Sequence, residues 1–360
     1  MATVSLERII KAAVERGASD IHIKAGDLFR ARIDGKLVPL TKQRLTPEQT
    51  RAIALKLMTM DEDRARLDSL KDYDCSWGIP GVGRFRVNVL RQRSSFMIIM
   101  RVIPFAMPTL EQLALPAGIA KLTEITSGLI VISGVTGSGK SSTIAAMLHH
   151  MNQGQHRHIV TIENPIEFLH RDLSSSMTQR EVGVDTESMG IALRAALRQD
   201  PDVIVLGDVR DQATMDYAIK AAETGRLVFV AISAPDVTST VSLIYSMMPS
   251  DGAEIARFRF SESLRAIIAQ QLLPRADGGR VPAVEILLAT PTVREALRDP
   301  SRLTDLRSIM EGQRKAGMQT FQQHIEELAD EEILSAETAQ ALGSGGGGER
   351  KGKGRKGSSG

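Results

Sequence analysis

The stretch GLIVISGVTGSGKSS, residues 128–142, decides how the rest of the chain is read. Leu129 to Ile132 is a short, continuous apolar run of the kind that forms a strand buried on both faces. It leads into Gly134-Val-Thr-Gly-Ser-Gly139-Lys140-Ser141, a match to the P-loop pattern GxxxxGK[ST], and Ser141 to Met151 then has helical spacing. Strand before and helix after is the context this motif requires. Gly134, Gly137 and Gly139 let the main-chain N–H groups of the loop, with Thr136 and Ser138, converge on phosphate oxygens. The helix start at Ser141 and Ser142 adds its partial positive charge. Lys140 is placed to reach the β- and γ-phosphates and Ser141 to ligate Mg²⁺, so the expected cofactors are ATP and Mg²⁺.

Working outward, the same pattern of short apolar runs between helical segments continues. Ile159 to Ile162, Val203 to Leu206 and Leu227 to Ile232 read as further parallel strands, and Ser188–Arg198 and Asp211–Thr224 as helices, the last stopped by Gly225. Helical periodicity is expected from Glu254 to Gln271 and from Phe321 to Leu342. Phosphoryl transfer needs carboxylates at the ends of neighbouring strands, and two are placed so: Glu163 after 159–162, and Asp208 after 203–206 and Gly207. Asp208 is a candidate metal ligand as well as a catalytic group, and Glu163 is the candidate general base.

Upstream, the pattern is different. A first helix over residues 4–16 precedes extended runs around Asp34-Gly35, a helix over Pro47–Met60, and a second extended pair, Arg84–Leu90 and Phe96–Val102, after a turn cluster at Gly78–Gly83. This is an α+β domain over residues 1–103. Pro104, Pro108 and Pro116 mark a linker over 104–117, in which Thr109 and Gln112 are spaced as the capping box of a short helix. An α/β P-loop domain with C-terminal helices fills 118–342.

Lys and Arg number 45 against 43 Asp and Glu, and the formal charge of +2 excludes a strongly basic nucleic-acid coat. That balance conceals a tail, GSGGGGERKGKGRKGSSG at 343–360, carrying +4, so the body is at −2. The tail reads as a disordered extension without aromatic residues to stack bases, and a nucleic-acid partner is disfavoured. A single cysteine, Cys75, excludes a disulfide framework and a multi-cysteine zinc site; it reads as a small packed residue. No run approaches 18 consecutive apolar residues, and Glu7 and Arg8 stand where a signal peptide would need apolar ones, so a soluble, cytoplasmic protein is expected.

Beyond the P-loop, the segments GVGRFRVN (81–88), HIVTIENPIEFLH (158–170), QREVGVDT (179–186), RQDPDVIVLGDVRD (198–211), AAETG (221–225), SESLRAIIAQQLLPR (261–275) and GMQTF (317–321) follow in order. In these the chain resembles the PilT/PilU twitching-motility ATPases of the secretion-ATPase superfamily, from about Ala18 to about Leu334. The resemblance implies a PAS-like N-terminal domain joined to a RecA-like domain, and a homohexamer, or a mixed ring with a retraction ATPase paralogue, working against an inner-membrane pilus platform protein at the cytoplasmic face. It also implies that Arg84, Arg86 and Arg101 reach phosphates, a role suited to a guanidinium fork.

Three positions depart from the family pattern. The usual TIEDPIE is TIENPIE, with Asn164. The segment usually ending Gly-Glu ends Gly207-Asp208. The usual TGHLVFGTLHT is TGRLVFVAISA, with Arg226 and Ser233 in place of two histidines, and no histidine occurs between His170 and His324. Asp is one methylene shorter than Glu, so a water-activating carboxylate at 208 falls short by about 1 to 1.5 Å, and such a misplacement costs on the order of 10²-fold. Arg226 is expected to keep a cationic donor near the end of its strand. The expectation is nucleotide binding with slow or partner-dependent hydrolysis; the alternative is a weakly catalytic regulatory subunit beside an active paralogue.

Overall fold

The computed structural model describes residues 6–335 except 34, 59 and 104–106, together with 337, 338 and 341. The tail at 343–360 and Pro104, both singled out in the sequence, lie outside the described residues, as does Asp34. Of the described residues, those up to 108 together with 152–201 make one compact unit, and 109–151 with those from 202 to 341 make another.

The chain begins with α1 (Leu6–Glu15), β1 (Asp20–Lys24), β2 (Arg30–Ile33), β3 (Lys36–Pro39), α2 (Pro47–Leu57), α3 (Asp61–Arg66), β4 (Asp72–Ile79), β5 (Gly83–Gln92) and β6 (Ser95–Ile103). The six strands form one antiparallel sheet in the order β3-β2-β1-β6-β5-β4. Alternation along β6 sends Phe96, Ile98 and Met100 into a core that Leu6, Ile10 and Ala13 of α1 and Ala54 and Leu57 of α2 close. Thr46 and Gln49 make a complete capping box at the start of α2.

There follow α4 (Gly118–Leu122), β7 (Gly128–Ser133), α5 (Lys140–Gly154), β8 (His158–Glu163), β9 (Ser176–Glu181), α6 (Met189–Ala196), β10 (Val203–Leu206), α7 (Gln212–Glu223), β11 (Leu227–Ile232), α8 (Val237–Ser246), α9 (Ala253–Ser263), β12 (Leu264–Pro274), β13 (Arg280–Leu288), α10 (Pro291–Arg298), α11 (Asp305–Gly312) and α12 (Phe321–Asp330). In the first unit β8 and β9 pair in parallel, from His158↔Ser176 to Glu163↔Glu181. In the second, strands lie side by side as β13-β12-β7-β11-β10, parallel except for β13. Every residue of β7, β10 and β11 is buried, as their unbroken apolar runs require.

The structure thus has the expected α/β class, an antiparallel α+β sheet and a parallel P-loop sheet, and it corrects several local readings. Residues 254–271 are not one helix: α9 stops at Ser263, and Leu264–Pro274 is a strand held between β7 and β13. Strand β4 was not expected, and Gly78 lies within it rather than in a turn. Strands β9 and β13 are likewise new. Thr109 and Gln112 do exchange capping-box hydrogen bonds, at 3.0 and 3.2 Å, but the chain continues as turns with Ala114 in the left-handed region rather than as a helix. The helical stretch expected over 321–342 is interrupted: α12 ends at Asp330, Glu332 has φ +58°, and helical backbone returns at Glu337, Thr338 and Ala341. No helix among the described residues is long and apolar enough to cross a membrane.

Candidate functional site

The phosphate loop forms where β7 leaves the sheet at Ser133 and α5 starts at Lys140. Gly134 must be glycine because a Cβ there would overlap Ser138 Oγ and the main-chain carbonyl oxygen of Gln270. Gly139, at φ +91°, would place a Cβ 2.7 Å from Gln270 Nε2. The Lys140 ammonium donates to the carbonyl oxygens of Gly134 (2.7 Å) and Val135 (3.2 Å), so it lies across the loop it follows. Val135, Thr136 and Gly137 are exposed, whereas Ser138 is buried and its hydroxyl has no hydrogen-bond partner among the described residues. The N–H groups of Lys140, Ser141 and Ser142 open α5 and have no intrahelical acceptor. An exposed rim of main-chain donors at a helix N-terminus, with a lysine across it, fits a polyphosphate.

Asp208 follows β10 in the left-handed region (φ +46°), a conformation Asp tolerates better than most residues. The Val209 N–H bonds to the Ala231 carbonyl (2.9 Å), which ties the turn to β11. Because Ile232 pairs with Ser133 in the β11–β7 register, Ser233, Gly134 and Asp208 emerge together at the C-terminal ends of three adjacent strands. The Ser233 hydroxyl donates to Asp208 Oδ1 at 3.1 Å, and the Arg210 guanidinium pairs with Oδ2 through Nε at 2.7 Å and through Nη2. Ser141 and Asp208 are hard oxygen donors of the kind Mg²⁺ takes, one or two protein oxygens completed by phosphate and water.

Arg226 does not stand where its strand meets this site. It precedes β11, its Nη1 donates to the Thr224 carbonyl at 2.7 Å, and the six-residue strand separates it from Ser233. Seven steps at ~3.3 Å per residue put the two positions about 23 Å apart. Of the two expected histidine positions, only 233 is beside the loop.

In the first unit, Glu163 ends β8. Its Oε1 accepts from Thr161 Oγ1 (2.6 Å) and Gln179 Nε2 (3.2 Å). Burial pushes its carboxyl above the usual glutamate range; the hydrogen bonds oppose the shift and Glu167 reinforces it. A carboxylate raised in this way is a better proton acceptor.

Arg84, Arg86 and Arg101 share one face of the antiparallel sheet, since Arg84 and Arg86 are two apart on β5 and Arg86 is directly opposite Arg101 on β6. Arg101 pairs with Asp20 at 3.1 Å and is largely exposed. Arg84 donates from Nη2 to Glu181 Oε2 at 2.8 Å. Arg86 is exposed, lines a cleft of about 180 Å³ with Cys75, Ser76, Asn164 and Glu181, and has no ion pair among the described residues. Cys75 packs against the core, its thiol pushed up to about 12, first by burial and then by Asp74 and Glu181.

Two residues outside the expected site are prominent. Glu181, within the QREVGVDT segment, is buried and accepts from Ser76 Oγ (2.5 Å), Arg84 and the Ile166 N–H (3.1 Å). Gln270, within LRAIIAQQLLP, is buried against the phosphate loop: Nε2 donates to the Ser138 carbonyl and Oε1 accepts from Thr143 Oγ1, each at 2.7 Å. Glutamine in an apolar strand, and glutamate in a polar one, were the only signals in the sequence.

A family model of type II/IV secretion system proteins matches residues 2–281. The type IV pilus ATPase PilU of Pseudomonas aeruginosa is 38% identical over 341 residues, 94% of this chain and 88% of that relative. The type IV pilus retraction ATPase PilT of the same organism is 35% identical over 337 residues, 94% and 97% of the two chains. Among solved structures, the pilus retraction motor PilT with bound ADP matches with a TM-score of 0.85 at 40% identity, covering 94% of this chain and 97% of that one.

Proposed function

Because the chain belongs to the type II/IV secretion system protein family and is close to the PilT and PilU pilus ATPases, we propose that it is an ATP-hydrolysing motor subunit of pilus retraction. The observation that carries this reading is the phosphate loop between β7 and α5 with Asp208 emerging two strands away. In this reading the loop amides from Gly134 to Ser142 and Lys140 hold the polyphosphate, and Ser141 and Asp208 hold Mg²⁺. When bound, the metal would neutralise charge across the β- and γ-phosphates. Glu163 takes the proton of the attacking water, and Arg84, Arg86 and Arg101 supply cationic forks to phosphate between subunits of a hexameric ring. The domains are assigned as 1–103, 104–117 and 118–342. The ring works at the cytoplasmic face of the inner membrane on a pilus platform protein.

Hydrolysis by this subunit is slow alone and accelerated by a partner. Asp208 is shorter than the glutamate of the family pattern, and its two oxygens are engaged by Ser233 and Arg210, so direct activation of water would require one of those bonds to break. Ser233 in place of a histidine favours a second reading, a regulatory nucleotide-binding subunit beside an active retraction ATPase paralogue. Turnover of ATP by the purified protein alone and after mixing with an intact-motif relative tests both. Turnover above the relative's own rate on mixing supports the motor. Nucleotide occupancy with no added turnover supports the regulatory subunit. Full speed alone, unaffected by Asp208→Ala, overturns both.

A further inference from the structure

We propose that Gln270 is a positioning residue of the phosphate loop, holding the Ser138–Gly139 peptide so that its N–H faces bound β-phosphate; this rests on the nucleotide reading above. Strand β12 lies beside β7 with Ala269 opposite Ser133, so Gln270 stands alongside Gly134, the first residue of the loop. Its side chain is 2% exposed and bridges two points of the site, the Ser138 carbonyl at one end and Thr143 in the first turn of α5 at the other.

The orientation of the amide follows from its partners. A carbonyl oxygen only accepts, so the Gln270 NH₂ must face Ser138, which leaves Oε1 to accept from the Thr143 hydroxyl. Among side chains of this length the amide alone both donates and accepts without titrating: ionised glutamate lacks the donor, and methionine offers only a weakly accepting sulfur. In a trans peptide the C=O and the following N–H point in opposite directions. With the Ser138 carbonyl drawn inward to a buried amide, the Gly139 N–H is aimed outward, toward the rim where Val135, Thr136 and Gly137 are exposed. Gly139 also permits this packing, because a Cβ there would displace Gln270 Nε2. Gln270 itself touches no ligand; it acts through the loop it holds.

The test is ADP and AMP affinity by titration calorimetry, with thermal midpoints, for the full chain and for Gln270→Met, Gln270→Glu, Thr143→Val and Lys140→Ala. AMP lacks the β-phosphate. Gln270→Met and Gln270→Glu are expected to weaken ADP roughly tenfold or more while changing AMP affinity little, and Thr143→Val, which leaves the Ser138 bond intact, to weaken ADP by less than about threefold. If Gln270→Met does not fold, Gln270→Glu and Thr143→Val decide. An ADP-to-AMP affinity ratio unchanged from wild type in a folded Gln270 variant would overturn the proposal while leaving the nucleotide site standing. ADP binding unaffected by Lys140→Ala would overturn the nucleotide reading and this proposal with it.

Discussion

The three loop glycines make a graded prediction, because their surroundings differ. Gly137 has φ +80° and, beyond its chain neighbours, no atom of the described residues within 4 Å of where a Cβ would sit, so Gly137→Ala costs only the left-handed backbone, about 1–2 kcal/mol. Gly139 has φ +91° and would put its Cβ 2.7 Å from Gln270 Nε2. Ordinary carbon–heteroatom contacts lie near 3.3–3.6 Å, so the amide must retreat by about 0.7 Å. Its 2.7 Å bond to the Ser138 carbonyl then lengthens to about 3.4 Å, and loss of a buried hydrogen bond adds about 1–3 kcal/mol. Gly134→Ala is the most severe of the three, since one atom it overlaps is the main-chain oxygen of Gln270, which cannot rotate away. With about 2–4 °C per kcal/mol for a domain of this size, the thermal midpoint of nucleotide-free protein should fall by about 3–6 °C for Gly137→Ala and about 7–14 °C for Gly139→Ala, with Gly134→Ala lower still. Differential scanning calorimetry without nucleotide isolates stability from ligand contact. Equal shifts for Gly137→Ala and Gly134→Ala would refute the steric reading of the loop.

Glu181→Ala leaves the Arg84 guanidinium, Ser76 and the Ile166 N–H without their acceptor, and a thermal midpoint loss equivalent to about 3 kcal/mol is expected; Glu181→Ala combined with Arg84→Met should recover part of it. His324 accepts from the Val284 N–H through Nδ1, and burial lowers its pKa, so its contribution is present above the ordinary histidine value near 6.5 and is lost as pH falls through the lowered one. His324→Asn, which can accept from the same N–H without titrating, should flatten the loss of thermal midpoint between pH 7 and pH 5; an unchanged slope would count against it. Cys75, with its thiol near 12, should resist alkylation at pH 8 in native protein and react on unfolding, and equal rates in both states would show that the thiol is not held by its packing.

The phosphate loop and the strands β7, β8, β10 and β11 were legible because each is a continuous apolar run punctuated by glycine or a turn, so local pattern and tertiary environment agree. Strand β12 was not. LRAIIAQQLL is built from strong helix formers, and only its place between β7 and β13 makes it extended. Strand β4 was hidden by Gly78 and by polar residues on the exposed face of an outer strand. Gln270 and Glu181 escaped for a related reason: each derives its meaning from residues more than 90 positions away, Ser138 in one case and Ser76 and Arg84 in the other. The departure at Ser233 was readable residue by residue, whereas the position of Arg226 at the opposite end of β11 needed the strand register.

The central claim, a P-loop ATPase limited by its altered strand ends, is tested most directly by steady-state ATP turnover of four proteins side by side: wild type, Lys140→Ala, Asp208→Ala, and the double variant Asp208→Glu with Ser233→His. Slow wild-type turnover, abolished by Lys140→Ala and by Asp208→Ala and raised on the order of tenfold or more in the double variant, is the predicted result. Wild-type turnover that survives both alanine substitutions and is not raised in the double variant would contradict it.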